Sequence, residues 1–137
     1  MIRLTALDGQ EIAIDAALIV RIRRTLADES AAGNRGAQTR IDWARLDGQG
    51  VSLVREALDQ VIALVKPALP SLTVATAPDG TKIWFDALRV IGPVALPPRD
   101  MVGGARSTIE LGGHTQRLFE TAEQVRVIIR DAGGQPL

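Results

Sequence analysis

Asp8-Gly9-Gln10-Glu11-Ile12-Ala13-Ile14-Asp15-Ala16 returns in outline as Asp79-Gly80-Thr81-Lys82-Ile83-Trp84-Phe85-Asp86-Ala87. The glycine turn, the apolar alternation and the Asp-Ala exit come in the same order. Further along, Val54-Arg55-Glu56-Ala57-Leu58-Asp59-Gln60-Val61 reads against Leu118-Phe119-Glu120-Thr121-Ala122-Glu123-Gln124-Val125. Two matches in one order, at nearly one offset, predict a chain that writes one small fold twice. The repeat decides the architecture and is silent on activity.

Outward from the first stretch, Ile2, Leu4 and Ala6 alternate with Arg3 and Thr5 at strand spacing. Asp8-Gly9 predicts a hairpin with a type I′ turn, which needs positive φ at both central residues. Ile12 and Ile14 mark a second strand, and residues 18–22 a third. Residues 27–38 read as a long polar loop. A fourth strand over about 40–46 ends at Leu46-Asp47-Gly48-Gln49, which repeats Leu7-Asp8-Gly9-Gln10 letter for letter. A short strand at 51–53 passes into a helix with Val54, Leu58, Val61, Ile62 and Val65 on one stripe. Lys66 and Pro67 close it.

The second half repeats this order. Strands fall near 72–77, 81–86 and 88–96, with Pro93 marking an edge or a bulge. A second long loop covers 97–105. A strand over 106–111 turns at Gly112-Gly113. A helix starts near Glu120, where Thr121 and Gln124 have capping-box spacing. Its apolar stripe is Leu118, Ala122, Val125 and Ile129, and Gly133-Gly134 ends it. The chain thus reads as an α+β protein of two tandem β-rich repeats. Each has about five short antiparallel strands and one C-terminal amphipathic helix. The repeats span 1–66 and 72–137, with a Pro-containing linker at 67–71. Halves of this size bury little surface alone, so they are expected to pack together with pseudo-two-fold character.

Composition narrows the function classes. Apolar residues make up 46% of the 137, enough for a core. There are 16 basic and 16 acidic residues, so no overall basic excess marks a nucleic-acid binder. The chain has no cysteine, which removes disulfides, Cys metal sites and thiol nucleophiles. Met1-Ile2-Arg3-Leu4-Thr5 lacks the apolar core of a signal peptide. No apolar run approaches the about 20 residues of a membrane span. The expectation is a protein of the cytoplasm, or of a particle assembled there.

Ile2-Arg3-Leu4-Thr5-Ala6-Leu7-Asp8-Gly9 is a strand ending in a glycine turn. With Leu18-Ile19-Val20-Arg21-Ile22, Val51, Val54-Arg55-Glu56 and Val61-Ile62, it resembles the FlbD family of small flagellar and swarming-motility proteins. The resemblance covers about the first half. Members of that family look like single, shorter copies, whereas here the loop is longer and a diverged second copy follows. The resemblance carries no catalytic residues and implies a small non-enzymatic accessory module. Such a module serves equally in a flagellar assembly or a phage particle.

Candidate chemistry is thin. His114 is the single histidine and has no Cys or second His to share a metal with; it reads as an exposed hairpin-end residue. Ser107, His114 and an aspartate lack any nucleophile-elbow context. Asp15 and Asp86, equivalent in the two halves, read as turn caps rather than paired acid–base carboxylates. Gly33-Asn34-Arg35-Gly36 and Gly103-Gly104-Ala105-Arg106 put arginine beside glycine in the long loops, without P-loop spacing. Trp43 shares a face with Ile41 and is expected in the core. Trp84 alternates out of phase with Ile83 and Phe85 and is expected on an outer sheet face.

The leading expectation is a non-enzymatic protein–protein interaction or structural module, an accessory part of a larger assembly, with Trp84, Arg35, Arg99 and Arg106 as candidate partner contacts. No catalytic residue, cofactor or metal is expected, and the partner is another protein or a second copy. The first alternative is a nucleic-acid-binding regulator using Arg21, Arg23, Arg24, Arg40 and Arg45, though a solvated strand face is the simpler reading of those arginines. The second is an adaptor or decoration protein of a phage or similar particle.

Overall fold

The computed structural model describes residues 1–26, 36–45 and 48–137. Most of the first long loop, with Gly33, Asn34 and Arg35, lies outside the described residues, as do Leu46 and Asp47 of the second hairpin turn. The described chain is α+β, with ten strands and two α-helices. It divides into two compact units, Met1–Pro70 and Ser71–Leu137.

In the first unit, β1 (Ile2–Thr5) and β2 (Glu11–Ile14) form an antiparallel hairpin, with Ile2 opposite Ile14 and Leu4 opposite Ile12. The turn is one residue longer than the two-residue type I′ form expected. The Gly9 amide donates to the Ala6 carbonyl (3.0 Å), and the Ala6 amide donates to the Gln10 carbonyl (2.9 Å). Gly9 therefore occupies the last position of a turn through Leu7 and Asp8, where its φ of 87° is required. The Asp8 side chain selects this form by accepting the Gln10 amide at 2.9 Å.

Asp15 then starts a single 3-10 turn, Ala16–Leu18, by accepting the Ala17 amide at 3.0 Å. β3 (Ile19–Arg24), β4 (Thr39–Arg45) and β5 (Gly48–Val54) follow. All pairings are antiparallel, with β4 bonded to β3 on one side and β5 on the other. A register shift between Ile19 and Arg21 puts a bulge in β3. Trp43 lies across from Gly50, and a Cβ at Gly50 would sit 2.4 Å from its ring. The indole N–H donates to the Ser52 hydroxyl at 3.1 Å, and the Arg45 guanidinium lies 5.7 Å from the ring centroid. Trp43 is half-buried, not a core residue as expected, because Gly50 makes a shelf for the ring at the sheet surface.

Helix α1 (Leu58–Val65) starts four residues later than the apolar stripe suggested. Val54 is fully buried but belongs to β5. Four hydrogen bonds hold 54–56 extended. The Arg55 amide donates to the Thr5 carbonyl (2.9 Å). The Thr39 hydroxyl donates to the Glu56 carbonyl (2.7 Å). The Glu56 carboxylate accepts the Thr5 amide and the Thr5 hydroxyl, both at 2.9 Å. Glu56 thereby ties the start of the helix to β1 through its side chain and to β4 through its carbonyl.

In the second unit, β6 (Leu72–Thr76) pairs antiparallel with β7 (Lys82–Asp86) across a turn of the same construction. The Gly80 amide donates to Ala77, the Ala77 amide to Thr81, and Asp79 accepts the Thr81 amide. Asp86 accepts the Leu88 amide at 2.9 Å and the Ser71 hydroxyl at 2.6 Å. β8 (Ile91–Ala95) is the edge of a three-stranded antiparallel sheet, followed by β9 (Ser107–Leu111) and β10 (His114–Leu118). Its register shifts between Ile91 and Val94, so the Pro93 strand is both edge and bulge. Gly112 and Gly113 both have positive φ and make a true two-residue turn into β10. The Phe119 amide donates to the Thr76 carbonyl (2.8 Å), the Ser107 hydroxyl to the Glu120 carbonyl (2.8 Å), and the Thr76 amide to the Glu120 carboxylate (2.9 Å). Helix α2 (Ala122–Asp131) opens on a reciprocal Thr121–Gln124 capping box.

Each core joins sheet and helix. In the first unit, Leu4, Ile19, Ile22, Ile41, Val54, Val61 and Val65 are at most 2% exposed. In the second, Ile83, Phe85, Ile109, Leu111, Leu118, Val125 and Ile129 are. Residues 67–71 lie at the junction of the two units, where Leu69 is buried and its amide bonds back to Val65.

The Glu56 tie carries a pH signature. Burial raises its pKa, but the hydrogen bonds from the Thr5 amide and hydroxyl outweigh burial and leave it below the ordinary 4.5. A folded-state pKa below the unfolded one gives stability that is complete above the unfolded value and is lost as pH falls through the folded value. Glu56→Gln is expected to destabilise the protein by about 1–2 kcal/mol at neutral pH, read by urea unfolding. The gap to wild type closes as pH drops below 4.5. A gap that stays constant down to pH 3 or so contradicts the ionised tie.

Candidate interaction surface

The arginines of β3 and β4 do not form the solvated stripe expected of them. Arg21 and Arg23 are each only 6% exposed. Arg21 Nε lies 2.7 Å from Asp42 Oδ2, and Arg40 Nη2 lies 3.0 Å from Asp42 Oδ1. Asp42 is itself 1% exposed, so one buried carboxylate is shared by two guanidinium groups. Burial pulls the Arg21 pKa below its usual value, against the raising influence of Asp42. Arg21 and Arg40 are drawn to Asp42, which sits opposite Arg21 in the β3–β4 register. Of the five nucleic-acid candidates, Arg24 and Arg45 are exposed, Arg45 beside Trp43. Arg24 stands with Thr25, Gln38 and Asp59 around a cavity of about 340 Å³ at the start of α1.

The four partner-contact candidates separate. Arg35 lies outside the described residues. Trp84 is in the middle of β7, opposite Val74, and is half-buried between the buried Ile83 and Phe85. Arg99 is exposed in a 3-10 turn, Pro98–Asp100, within the long loop. Arg106 is exposed, with its guanidinium 5.5 Å from the Phe119 ring centroid.

Arg106 belongs to a larger surface. Along β9, Ser107, Ile109 and Leu111 are buried, so Arg106, Thr108 and Glu110 take the opposite face. Along β10, Leu118 is buried, and Thr115, Arg117 and Phe119 are exposed. Register aligns these residues into rows across the sheet. Ile91, Glu110 and Thr115 form the first row, and Val94, Thr108 and Arg117 the second. Leu96, Arg106 and Phe119 form the third, joined by the Leu96 amide to Arg106 and the Arg106 amide to Leu118. Ile91 is 62% exposed, Val94 56% and Phe119 49%. The Thr115 hydroxyl donates to Glu110 at 2.6 Å. The outer face of the β8–β9–β10 sheet thus presents apolar side chains along its β8 edge, an aromatic–arginine pair at one end and a carboxylate at the other.

Ile91, Val94, Glu110, Arg117 and Phe119 escaped the sequence reading. The alternation along β9 and β10 was available to find three of them. Phe119 stands where the first half has Arg55, and an aromatic replacing a charge was a further signal.

The remaining candidates are structural in their contacts. Asp15 and Asp86 each accept an amide two residues on. Ser107 is fully buried, with its hydroxyl on Glu120. His114 begins β10 opposite Leu111 and is half-buried, not exposed as expected. Among the described residues, no three His, Asp or Glu side chains come together as a metal-binding group. No helix among them is long and apolar enough to cross a membrane.

Asp42→Ala is expected to destabilise the chain by about 3–5 kcal/mol, because it strands Arg21 as a buried charge. Asp42→Ala combined with Arg21→Met is expected to recover part of that loss. Thermal unfolding of the two variants side by side checks the pair; equal losses would refute the shared-charge account.

No family model, no curated protein and no solved structure matches the chain.

Proposed function

We propose that this chain is a non-enzymatic protein–protein interaction or structural module, an accessory component of a larger assembly, and that its two units are copies of one β-rich fold. The single observation that carries the function is the outer face of the β8–β9–β10 sheet. It combines exposed Ile91, Val94 and Phe119 with Arg106 set against the Phe119 ring. Aromatic and arginine side chains are the types enriched where binding energy concentrates. Contiguous exposed apolar side chains mark docking sites more often than solvent faces do.

Support for a duplication comes from hydrogen bonds that correspond one to one. Glu56 with Thr5 and Thr39 answers to Glu120 with Thr76 and Ser107. The Ala6–Gly9 turn answers to Ala77–Gly80, and Asp15 to Asp86. The resemblance of the first half to FlbD-like accessory proteins points the same way. The cytoplasm, or a particle assembled there, is its proposed location.

The test is a pull-down from the native source with the whole tagged chain, with and without nuclease. A stoichiometric protein partner is expected to survive nuclease and to be lost with Phe119→Asp. Phe119 is half-exposed and is held in place through its backbone amide, so the variant is expected to fold. Recovery of nucleic acid, with associated proteins lost after nuclease, overturns the proposal.

A further inference from the structure

We propose that the outer face of the β8–β9–β10 sheet docks on the same face of a second copy of this chain. The proposal rests on the interaction-module reading and names its partner.

The first ground is the apolar edge. Ile91 and Val94 are 62% and 56% exposed, whereas Val20 and Arg23, at the corresponding places in β3, are 2% and 6% exposed. These two strand positions are therefore buried in the first unit and bare in the second. The bare positions carry an isoleucine and a valine on the edge strand.

The second ground is charge complementarity of the face with itself. Glu110 lies in the row with Ile91 and Thr115, and Arg117 in the adjacent row with Val94 and Thr108. A two-fold axis running across the strands, between these two rows, exchanges them. It sets Ile91 over the partner's Val94. It also sets Arg117 over the partner's Thr115, beside the partner's Glu110. Both contacts occur twice, as an isologous interface requires. The hydrogen bond from Thr115 holds the Glu110 carboxylate in its row, where the incoming arginine meets it.

The third ground decides between the face and the edge. Pro93 has no N–H to offer. The Gly92 carbonyl already accepts the Leu137 amide at 2.8 Å, and Arg126 holds the Leu137 carbonyl at 2.8 Å. The β8 edge is thus closed to strand addition, and its apolar side chains remain available on the face. The face is only three short strands wide, so the dimer is expected to be weak and concentration-dependent.

Sedimentation equilibrium of the whole chain, from low micromolar to millimolar concentration, tests the proposal. A reversible monomer–dimer equilibrium is expected. Val94→Lys is expected to weaken it about thirtyfold, the size of one lost hot spot. Glu110→Arg alone weakens it, and Glu110→Arg with Arg117→Glu in the same chain restores it. Circular dichroism confirms that each variant folds. A wild-type chain that stays monomeric throughout overturns the proposal, as does a dimer indifferent to all three variants. If that monomer still captures a protein partner through Phe119, self-docking falls and the interaction-module reading stands. If it captures none, both fall.

Discussion

Each unit depends on one glutamate placed between sheet and helix. Glu56 accepts the Thr5 amide and hydroxyl with its side chain, and its carbonyl accepts the Thr39 hydroxyl. Glu120 does the same work between Thr76 and Ser107. The geometry explains why the position is demanding. The chain must leave the last strand, stay extended for three residues and then enter a helix, which strands backbone groups at the end of β1 and at the helix entry. Buried backbone donors are costly when unpaired. One residue supplies both an acceptor on a flexible side chain and a carbonyl. In the first unit this tie joins β1, β4 and the start of the helix.

The two units differ in how their sheets treat charge. The first draws charge inward, with Asp42 and Arg21 both buried and in contact. Such a pair adds little net stability against a well-packed apolar alternative, but its loss on one side is severe. The second unit has Gly92, Pro93 and Val94 in β8 and an exposed Glu110 in β9, and its sheet face is open.

Much of the fold was legible and the misreadings have particular causes. Strand alternation, the second long loop, the Thr121–Gln124 capping box and the Pro93 bulge were all readable, because each depends on local chemistry. The start of α1 was misread because Val54 fits the helical stripe of Val61 and Val65 as well as a buried strand end. Only the long-range bonds to Thr5 and Thr39 decide between the two. The Asp8-Gly9 turn was read one residue short because the glycine fits a type I′ centre as well as a bulge position. The burial of Arg21 was hidden because nothing along the chain places Asp42 opposite it. The exposure of Ile91 and Val94 went unread because apolar residues in a strand do not announce which face is covered.

Trp43 on its Gly50 shelf has a use beyond packing. Its ring is bounded by glycine, Arg45 and the Ser52 hydroxyl, so its surroundings exist only while β4 and β5 are paired. The chain has two tryptophans, and the other, Trp84, belongs to the second unit. Each compact unit therefore contains its own intrinsic fluorophore. With either tryptophan replaced by phenylalanine, the remaining emission reports on one unit without any label.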